Sequence, residues 1–404
     1  MNPTVDVAII GGGLVGASLA VALAPLPLRV ALIEAVPHDA PGQPSFDERT
    51  TALSNASRRI FDTLGLWGDL ESAAAPIARI HISDRGHFGF ARIEASRQGL
   101  AALGHVVPNR VLGRVLWAAI RARPQLEVHV PAQVRRVQRT GSGVRIDMGR
   151  PEGDRSLCAR LVVAADGAQS RVRDALGVEA SVRDYQQTAL ITTVLPQQFH
   201  GHTAYERFTA EGPLALLPMS EGRCTAVLTL SQERAQQAMQ WDEAQYLTEL
   251  QTRFGFRLGR FLKAGPRAAY PLALTQALAT SAERCVVLGN AAQTLHPVAG
   301  MGFNLGLRDA ACLAELLMQN GQADCGVGEL LRAYDEWRAR DRRGIIGFTD
   351  SLVRTFSQPF GPLGILRSAG LLAFDLLPPA KSALAGFASG TARSSRLARG
   401  VPLA

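Results

Sequence analysis

The chain has 404 residues, 47% of them hydrophobic and 19% charged, and this composition excludes wholesale disorder, a coiled coil and a collagen-like fibre. The length favours two intertwined units. The net charge of +8 comes almost wholly from arginine, because lysine occurs only at Lys263 and Lys381, and no basic run is interleaved with aromatic residues. No nucleic-acid partner is therefore expected. The five cysteines are scattered without a CxxC pair, which predicts no disulfide framework, no metal site and a reducing, cytoplasmic compartment.

The N-terminal segment predicts a strand, a glycine-rich turn, a helix and a second strand. Val5–Ile10 is a short run of β-branched and apolar residues, and Arg29–Glu34 repeats the pattern and ends in an acid. Between them lies GGGLVG, whose glycines have the spacing of the dinucleotide-binding fingerprint: Gly11, Gly13 and Gly16. Glu34 is placed to accept a hydrogen bond from a ribose hydroxyl. The segment therefore predicts dinucleotide binding.

The same segment is uncharged from residue 7 to residue 28, which is also the pattern of an export signal or a membrane span. Asp6 stands where a signal would carry Lys or Arg, and four glycines interrupt the apolar run. We therefore expect no export.

Further elements follow in chain order. A helix is predicted from about Ser54 to Leu64, and alternating segments are predicted at 78–83, 127–130 and 144–148. Buried strands are predicted at 161–165 and 285–288, an antiparallel sheet within 189–230, and mostly helix from Leu305 onward. The strands at 5–10, 29–34, 161–165 and 285–288 are expected to share one sheet.

These elements predict an α/β (α+β) fold with a Rossmann-type FAD-binding domain, an inserted antiparallel-sheet substrate domain and C-terminal helices. The division expected along the chain is 1–75, 100–180 and 271–360 for the FAD-binding domain, 76–99 and 181–270 for the substrate domain, and 361–404 for a C-terminal helical and basic tail.

Two segments turn a general dinucleotide prediction into a flavin prediction. In LVVAADGAQSRVR (161–173) a strand ends in an Asp-Gly turn before a helix. In LGNAAQTLHPVAGMGFNL (288–305) a strand delivers a polar side chain, and a Pro/Gly loop then opens a helix. A helix N-terminus offers unpaired N–H groups and partial positive charge, which an isoalloxazine needs where negative charge accumulates on reduction.

With these three motifs the chain resembles the single-component (group A) flavin monooxygenases over nearly its whole length. Within them it is most similar to the ubiquinone-biosynthesis aromatic ring hydroxylases. The stretch IHISDRGHFGF (80–90) resembles the 2-polyprenyl-6-methoxyphenol hydroxylase branch.

The resemblance implies roles for individual residues. Gly11, Gly13 and Gly16 would hold the FAD pyrophosphate, and Glu34 the adenosine ribose. Asp166 and Gly167 match a motif associated with both FAD and NADPH. The other implied FAD contacts are Arg49, Asn109 and Asn290, together with Gly300, Gly302, Phe303 and Asn304 at the pyrimidine end of the flavin.

Two positions need separate comment. Met301 stands where the ubiquinone branch commonly has Gln, and a Gln there is expected to be tolerated. His296, in the loop that would face the flavin, is a candidate for proton exchange with a substrate phenol. The alternative is that His296 only packs or hydrogen-bonds to hold the loop.

The implied reaction is hydroxylation of a polyprenylated phenol in ubiquinone biosynthesis. NADPH, or alternatively NADH, would reduce FAD, and O₂ would then give a flavin C4a-hydroperoxide that attacks the ring. Hydroxylation of another ring position or of a soluble aromatic compound stays open, as does a non-catalytic flavin-binding subunit of a quinone-assembly complex. The motifs indicate neither prenyl length nor oligomeric state.

The C-terminal region suggests a location at the inner face of the cytoplasmic membrane. As a helix, 363–377 would have one apolar face formed by Leu363, Leu366, Gly370 and Phe374. Four basic residues follow: Lys381, Arg393, Arg396 and Arg399. An apolar helix with a basic tail suits an anionic lipid surface. The alternative is a helix that packs on the protein's own core and is followed by a disordered tail.

Overall fold

The computed structural model describes residues 4–40, 43, 45–47, 49–321, 323–356, 361–390 and 394–404. Their strands are β1 (Val5–Ile10), β2 (Val30–Ile33), β3 (Thr50–Ser54), β4 (Ala75–Ile77), β5 (Arg79–Asp84), β6 (Phe90–Glu94), β7 (Gly104–Pro108), β8 (Leu126–His129), β9 (Gln133–Arg139), β10 (Val144–Arg150), β11 (Gly153–Ala164), β12 (Ala180–Pro196), β13 (Thr203–Thr209), β14 (Gly212–Pro218), β15 (Cys224–Ser231), β16 (Phe261–Ala264), β17 (Ala268–Ala277), β18 (Ser281–Ala282), β19 (Cys285–Val287) and β20 (Gln293–Thr294). Their helices are α1 (Leu14–Leu23), α2 (Asn55–Thr63), α3 (Trp67–Glu71), α4 (Asn109–Arg121), α5 (Arg171–Ala175), α6 (Gln232–Gln240), α7 (Glu243–Phe254), α8 (Gly302–Asn320), α9 (Gly328–Phe356), α10 (Gly361–Leu376) and α11 (Pro378–Ser389).

The first sheet has the order β18-β19-β11-β1-β2-β8, and its strands from β19 to β8 run parallel. β1 is buried along its whole length, as an apolar strand inside a parallel sheet must be. Strands β9 and β10 extend β11 in antiparallel pairs. The prediction that the four apolar strands share one sheet is confirmed. Helices α1, α4 and α8 cover one face and form the largest hydrophobic core of the molecule.

The second sheet has the order β20-β17-β12-β15-β14-β13-β5-β6 and is antiparallel except between β13 and β5. The predicted antiparallel sheet within 189–230 is therefore confirmed. One face packs beneath α6 and α7, where Leu216, Leu228 and Leu250 are buried together. Because side chains alternate along a strand, the Thr225 side chain lies on the other face. That face meets the first part of the chain, since the Thr50 hydroxyl donates to Thr225 Oγ1 at 3.0 Å.

Two features of the second and third sheets lie outside the predictions. Strands β17 and β20 continue the second sheet beyond residue 271, where the expected division had already returned to the FAD-binding part. Strands β3, β4 and β7 form a small separate sheet in the order β3-β7-β4. Its strands come from distant segments with weak local patterns, so only their pairing reveals the sheet.

The C-terminal region folds back on the molecule. Helices α10 and α11 meet at a bend of 91°, and among the described residues no single helix is long and apolar enough to cross a bilayer. After α11 the chain returns to the main core, where Leu397 and Leu403 are buried, and Thr63 Oγ1 donates to the Leu397 carbonyl at 3.0 Å. The described part of the tail, 394–404, is therefore packed against α2.

Most of the predicted basic tail makes internal contacts. Lys381 is buried and its Nζ lies 2.9 Å from Asp375 Oδ1. The Arg396 guanidinium donates to the Pro402 carbonyl, and Arg399 lies 3.8 Å from Glu315. Lys381 was predicted to add positive charge to a basic tail, but its charge is paired with that of Asp375 on the preceding helix. Arg393 lies outside the described residues.

Candidate cofactor and substrate site

The turn between β1 and α1 fits only glycine at two of its three fingerprint positions. A Cβ at Gly16 would lie 1.9 Å from the Gly11 carbonyl oxygen, and one at Gly11, where φ is +105°, would lie 2.3 Å from the Ala165 oxygen. Gly13 differs, since its nearest neighbour is the flexible Ser45 hydroxyl at 3.0 Å. Gly13 is also the N-cap of α1 and no side chain caps the helix there. The turn is therefore tight on its protein side and open where the helix begins.

The acid that ends β2 is held by the turn itself. The Gly12 N–H donates to Glu34 Oε2 at 2.5 Å, and the Val36 N–H donates to Oε1 at 2.8 Å. The buried Trp117 indole donates to the Gly12 carbonyl at 3.1 Å, a support that the sequence analysis did not single out. A cavity of about 370 Å³ beside Trp117 reaches from Pro37 to Val130.

The Asp-Gly turn after β11 is bound to the segment after β19. Ser170 donates to the Asp166 carboxylate, and burial raises the pKa of Asp166 although this hydrogen bond opposes the shift. The buried Arg173 donates to the Ala168 and Ala291 carbonyls. Gly167 has φ of +93°, and a Cβ there would meet nothing within 4 Å. The two motifs thus form one connected wall with open space beside Gly167.

Two further glycines bring the motifs into contact. A Cβ on Gly289 would lie 3.1 Å from Val15, and a Cβ on Gly306 would lie 3.0 Å from the Gly289 Cα. The start of α1, the turn after β19 and the first turns of α8 therefore meet at close range. Gly289 stands within the 288–305 motif and Gly306 directly follows it, but their close contact depends on tertiary packing. Asn290, in the same turn, is exposed.

The loop from His296 to Met301, here called the 296–301 loop, is anchored at its end by Asn304. The Asn304 amide donates to the Ala52 carbonyl at 2.7 Å and to the Gly300 carbonyl at 2.8 Å. Its Oδ1 accepts from the Ser54 N–H and the Ser57 hydroxyl. The side chain of Asn304 thus connects α8 to β3 and α2.

The N-terminus of α8 is open. No side chain caps the helix, and a Cβ at Gly302 would meet nothing within 4 Å. The Phe303 ring stacks against Phe61 at 6.3 Å between centroids and so faces the main core.

Arg49 and Asn109 lie next to each other where β3 begins. The Asn109 N–H donates to the Arg49 carbonyl at 2.9 Å, and the Thr51 hydroxyl donates to Asn109 Oδ1 at 2.7 Å. The Arg49 guanidinium pairs with Asp47 at 2.7 Å and lies 4.5 Å from the centre of the Tyr270 ring. Both residues therefore lie between the first domain and the second sheet.

His296 is almost fully buried, with 1% of its surface exposed. The Val298 N–H donates to Nδ1, so the neutral ring carries its proton on Nε2, and burial lowers the pKa of His296 to about 4. The ring packs edge-to-face against Tyr185 at 5.4 Å. The Nδ1 contact is of the kind that the loop-holding role requires, while Nε2 is buried with no hydrogen-bond partner among the described residues. Proton exchange with a phenol stays a prediction.

Met301 also lies in an apolar environment. It is 6% exposed and packs with Leu305 and Ile345. A Gln side chain here would bury an amide among apolar groups, so the structure changes the expectation that Gln is tolerated.

These features together fit an FAD molecule. Two helices, α1 and α8, point N-termini without side-chain caps toward the carboxyl end of the parallel sheet, where such helix ends bind anionic groups. At three glycines, a Cβ atom would contact no backbone atom within 4 Å: Gly13, Gly167 and Gly302. Among the described residues no cluster of His, Cys, Asp or Glu could hold a metal ion.

Comparison with known proteins decides the family. The FAD binding domain family matches residues 4–349. The chain is 36% identical over 405 residues to ubiquinone hydroxylase UbiL of Rhodospirillum rubrum, covering 98% of this chain and 93% of that protein. It belongs to the group A flavin monooxygenases, in the branch of the ubiquinone-biosynthesis hydroxylases. It is also 31% identical to 3-demethoxyubiquinol 3-hydroxylase of Escherichia coli, covering 93% and 95% of the two chains. The protein is thus an FAD-dependent monooxygenase.

Solved structures show the same fold. p-Nitrophenol 4-monooxygenase PnpA of Pseudomonas putida superposes with a TM-score of 0.80 at 19% identity, covering 96% of this chain and 99% of that one. PqsL of Pseudomonas aeruginosa superposes with a TM-score of 0.76 at 22% identity, covering 91% and 99%. The predicted fold class is therefore confirmed.

Proposed function

We propose that this flavin monooxygenase hydroxylates the ring of a polyprenylated phenol in ubiquinone biosynthesis. The observation that carries the proposal is the meeting of two uncapped helix N-termini, α1 and α8, beside a second sheet that contacts the 296–301 loop through Phe208 and Val298. The names of the relatives, ubiquinone hydroxylase and 3-demethoxyubiquinol 3-hydroxylase, support the substrate class.

The proposed cofactor contacts follow the chain from the adenosine end to the flavin ring. The α1 N-terminus at Gly13 would bind the pyrophosphate and Glu34 the ribose. The cavity beside Trp117 would take the adenine. The extended part of FAD between the pyrophosphate and the flavin ring would be lined by Arg49, Asn109 and the turns at Asp166 and Asn290. The pyrimidine ring of the flavin would face Gly300, Gly302 and the α8 N-terminus.

FAD bound in this cleft would supply the electron transfer and O₂ activation that no side chain can perform. The overall reaction consumes the phenol, O₂, NAD(P)H and a proton, and it yields the hydroxylated ring, water and NAD(P)⁺. The protein's own task is to orient the ring and exclude water. NADPH, with NADH as the alternative, remains the proposed reductant.

The test uses purified protein, FAD and a short-chain prenylated phenol under ¹⁸O₂. We expect NADPH oxidation to increase on addition of the phenol, and the product to gain one ¹⁸O atom by mass spectrometry. The matched control is Gly13→Val, which should stay folded but lose FAD. Bound FAD with no product and no phenol-stimulated NADPH oxidation would contradict the enzymatic proposal.

The ring position requires a cellular experiment. Quinone intermediates would be profiled by mass spectrometry in cells that lack the protein. We expect a precursor lacking one hydroxyl to accumulate, and its structure identifies the missing step. An unchanged profile would contradict a role in ubiquinone biosynthesis.

We also propose that the bend between α10 and α11 touches the membrane from which a polyprenyl substrate is drawn. Four leucines along α10 and at the bend are exposed: Leu366, Leu372, Leu376 and Leu377. Phe88, on the turn that packs against the first half of α10, is 66% exposed. We call these five residues the apolar corner. The opposite side of α10 packs on the second sheet, where Arg367 lies 3.3 Å from the buried Asp84 carboxylate. Of the predicted apolar face, Leu366 and Gly370 are exposed and Phe374 is half-buried, whereas the packed side of α10 contains Gly364 and Ser368.

Vesicle co-sedimentation tests the apolar corner. Replacing Leu376 and Leu377 by Ser should reduce binding to phosphatidylcholine vesicles containing phosphatidylglycerol, because less apolar area enters the bilayer. Leu278→Ser is the matched control, since Leu278 is 67% exposed but lies outside the corner. Equal binding of all three proteins would contradict the membrane contact.

A further inference from the structure

Glu206 occupies an unusual place in the second sheet. On β13 its neighbours point to the helical side: Tyr205 packs edge-to-face with Phe254 of α7 at 5.3 Å, and Arg207 donates to the Arg253 carbonyl at 3.0 Å. Phe208 points the other way and packs with Val298 of the 296–301 loop. Because strand side chains alternate, Glu206 shares the face of Phe208. A carboxyl group thus lies on the sheet face turned to the loop that the flavin is proposed to contact.

The surroundings of this carboxyl are apolar. The residues paired with Glu206 across the sheet are Ile82 on β5 and Ala215 on β14. From the loop, the Ala299 N–H is the polar group that faces the carboxyl, and no charged side chain of the described residues acts on it. Burial raises the pKa of Glu206 to about 7.

One oxygen of this carboxyl has no role within the fold. Glu206 Oε1 is buried and has no hydrogen-bond partner among the described residues, although the residue as a whole is partly accessible. A buried polar atom without a partner is costly and rare in folded proteins. The fold thus leaves an unused acceptor on the sheet face turned to the 296–301 loop, and a ligand O–H group that enters beside this face could satisfy it.

We propose that Glu206 binds the ring hydroxyl of the phenol substrate, an assignment that rests on the proposed function. The phenol O–H would donate to the Glu206 carboxylate, toward which the Ala299 N–H also donates. In the ionised form the carboxylate accepts a charge-assisted hydrogen bond and can take the proton from the phenol oxygen, with no other bond changed. Sharing or transfer of that proton increases electron density in the ring. The apolar neighbours Phe208 and Val298 suit the ring itself.

The test measures binding rather than turnover. The probes are 2-prenylphenol and its methyl ether, which lacks the O–H donor, and binding to the FAD-loaded protein is followed by the change in flavin absorbance. Glu206→Leu should raise the Kd of the phenol about 10-fold or more, as expected for loss of a hydrogen bond to a charged group, and should change the Kd of the ether little. Glu206→Gln, which keeps an acceptor without charge, should give an intermediate Kd for the phenol.

A pH series separates recognition from packing. Wild-type affinity for the phenol should increase as the pH rises through about 7, where Glu206 ionises, and this dependence should be absent in Glu206→Gln. Equal loss of phenol and ether binding in Glu206→Leu, or unchanged phenol binding in both variants, would overturn the assignment. Wild-type protein that holds FAD but binds neither probe would overturn the proposed function together with it. Wild-type binding of both probes with no effect of Glu206 would overturn the assignment alone.

Discussion

The unusual environment of Glu206 predicts a stability that depends on pH. Its pKa of about 7 in the folded protein compares with an ordinary value of 4.5 in the unfolded chain. The folded protein therefore binds this proton more tightly than the unfolded chain. The contribution to the free energy of unfolding is largest below pH 4.5, falls as the pH rises toward 7, and is constant above that.

The magnitude follows from the pKa difference. At about 1.4 kcal/mol per pKa unit, ionisation of Glu206 lowers the free energy of unfolding by about 3 kcal/mol above pH 7. Glu206→Gln removes the titrating group and keeps the size of the side chain. We therefore expect the variant to gain about 2–3 kcal/mol relative to wild type between pH 5 and pH 8.

Urea unfolding at pH 5, 6, 7 and 8, with a fixed excess of FAD, measures this difference. The matched control is Glu336→Gln, which makes the same substitution at an exposed position on α9. The difference in free energy of unfolding between wild type and Glu206→Gln should depend on pH. A difference that stays constant from pH 5 to pH 8 would refute the reasoning, since it would mean that Glu206 titrates as an ordinary carboxyl.

Three further predictions concern the packing around the cofactor site. Met301→Gln should lower the free energy of unfolding by about 1–3 kcal/mol, because it buries an unpaired amide, and an unchanged melting temperature in differential scanning fluorimetry would contradict this. Gly16→Ala should yield little folded protein because its Cβ meets backbone, whereas Gly13→Val should yield folded protein without FAD; the amount of soluble protein with native circular dichroism distinguishes them, and wild-type flavin fluorescence after denaturation of Gly13→Val would be contrary to expectation. Asp309→Asn should cost about 2 kcal/mol in chemical unfolding, because Arg338, 2.6 Å from the buried Asp309 carboxylate, keeps only its second carboxylate partner Asp341, and a cost below about 0.5 kcal/mol would count against the Asp309 pairing.

The elements that could be predicted from the sequence are those with strong local patterns. Strands β1 and β19 are buried on both faces and are therefore apolar throughout. Helix α2 is buried on one face and therefore has apolar residues at helical spacing. The glycine fingerprint was readable for the same reason, since a tight turn demands glycine locally.

What could not be predicted depends on pairs of residues far apart in sequence. Trp117 supports Gly12 across more than a hundred residues, and Asn304 holds Ala52 across still more. The face of β13 that carries Glu206 cannot be assigned until the neighbours of the sheet are known. The pairing of Lys381 with Asp375 could not be predicted, because it requires the bend after α10. The contacts of these residues with FAD remain predictions.

The burial of Leu397 and Leu403 against α2 has a consequence for synthesis. The hydrophobic core around β1 and α1, which the ribosome delivers first, includes side chains that it delivers nearly four hundred residues later. Until residue 403 has emerged, the surface of α2 that receives Leu397 is exposed to water and to other nascent chains. The core around β1 and α1 therefore reaches its final packing only after residues 397–403 are translated, and a truncation that removes them leaves the surface of α2 uncovered.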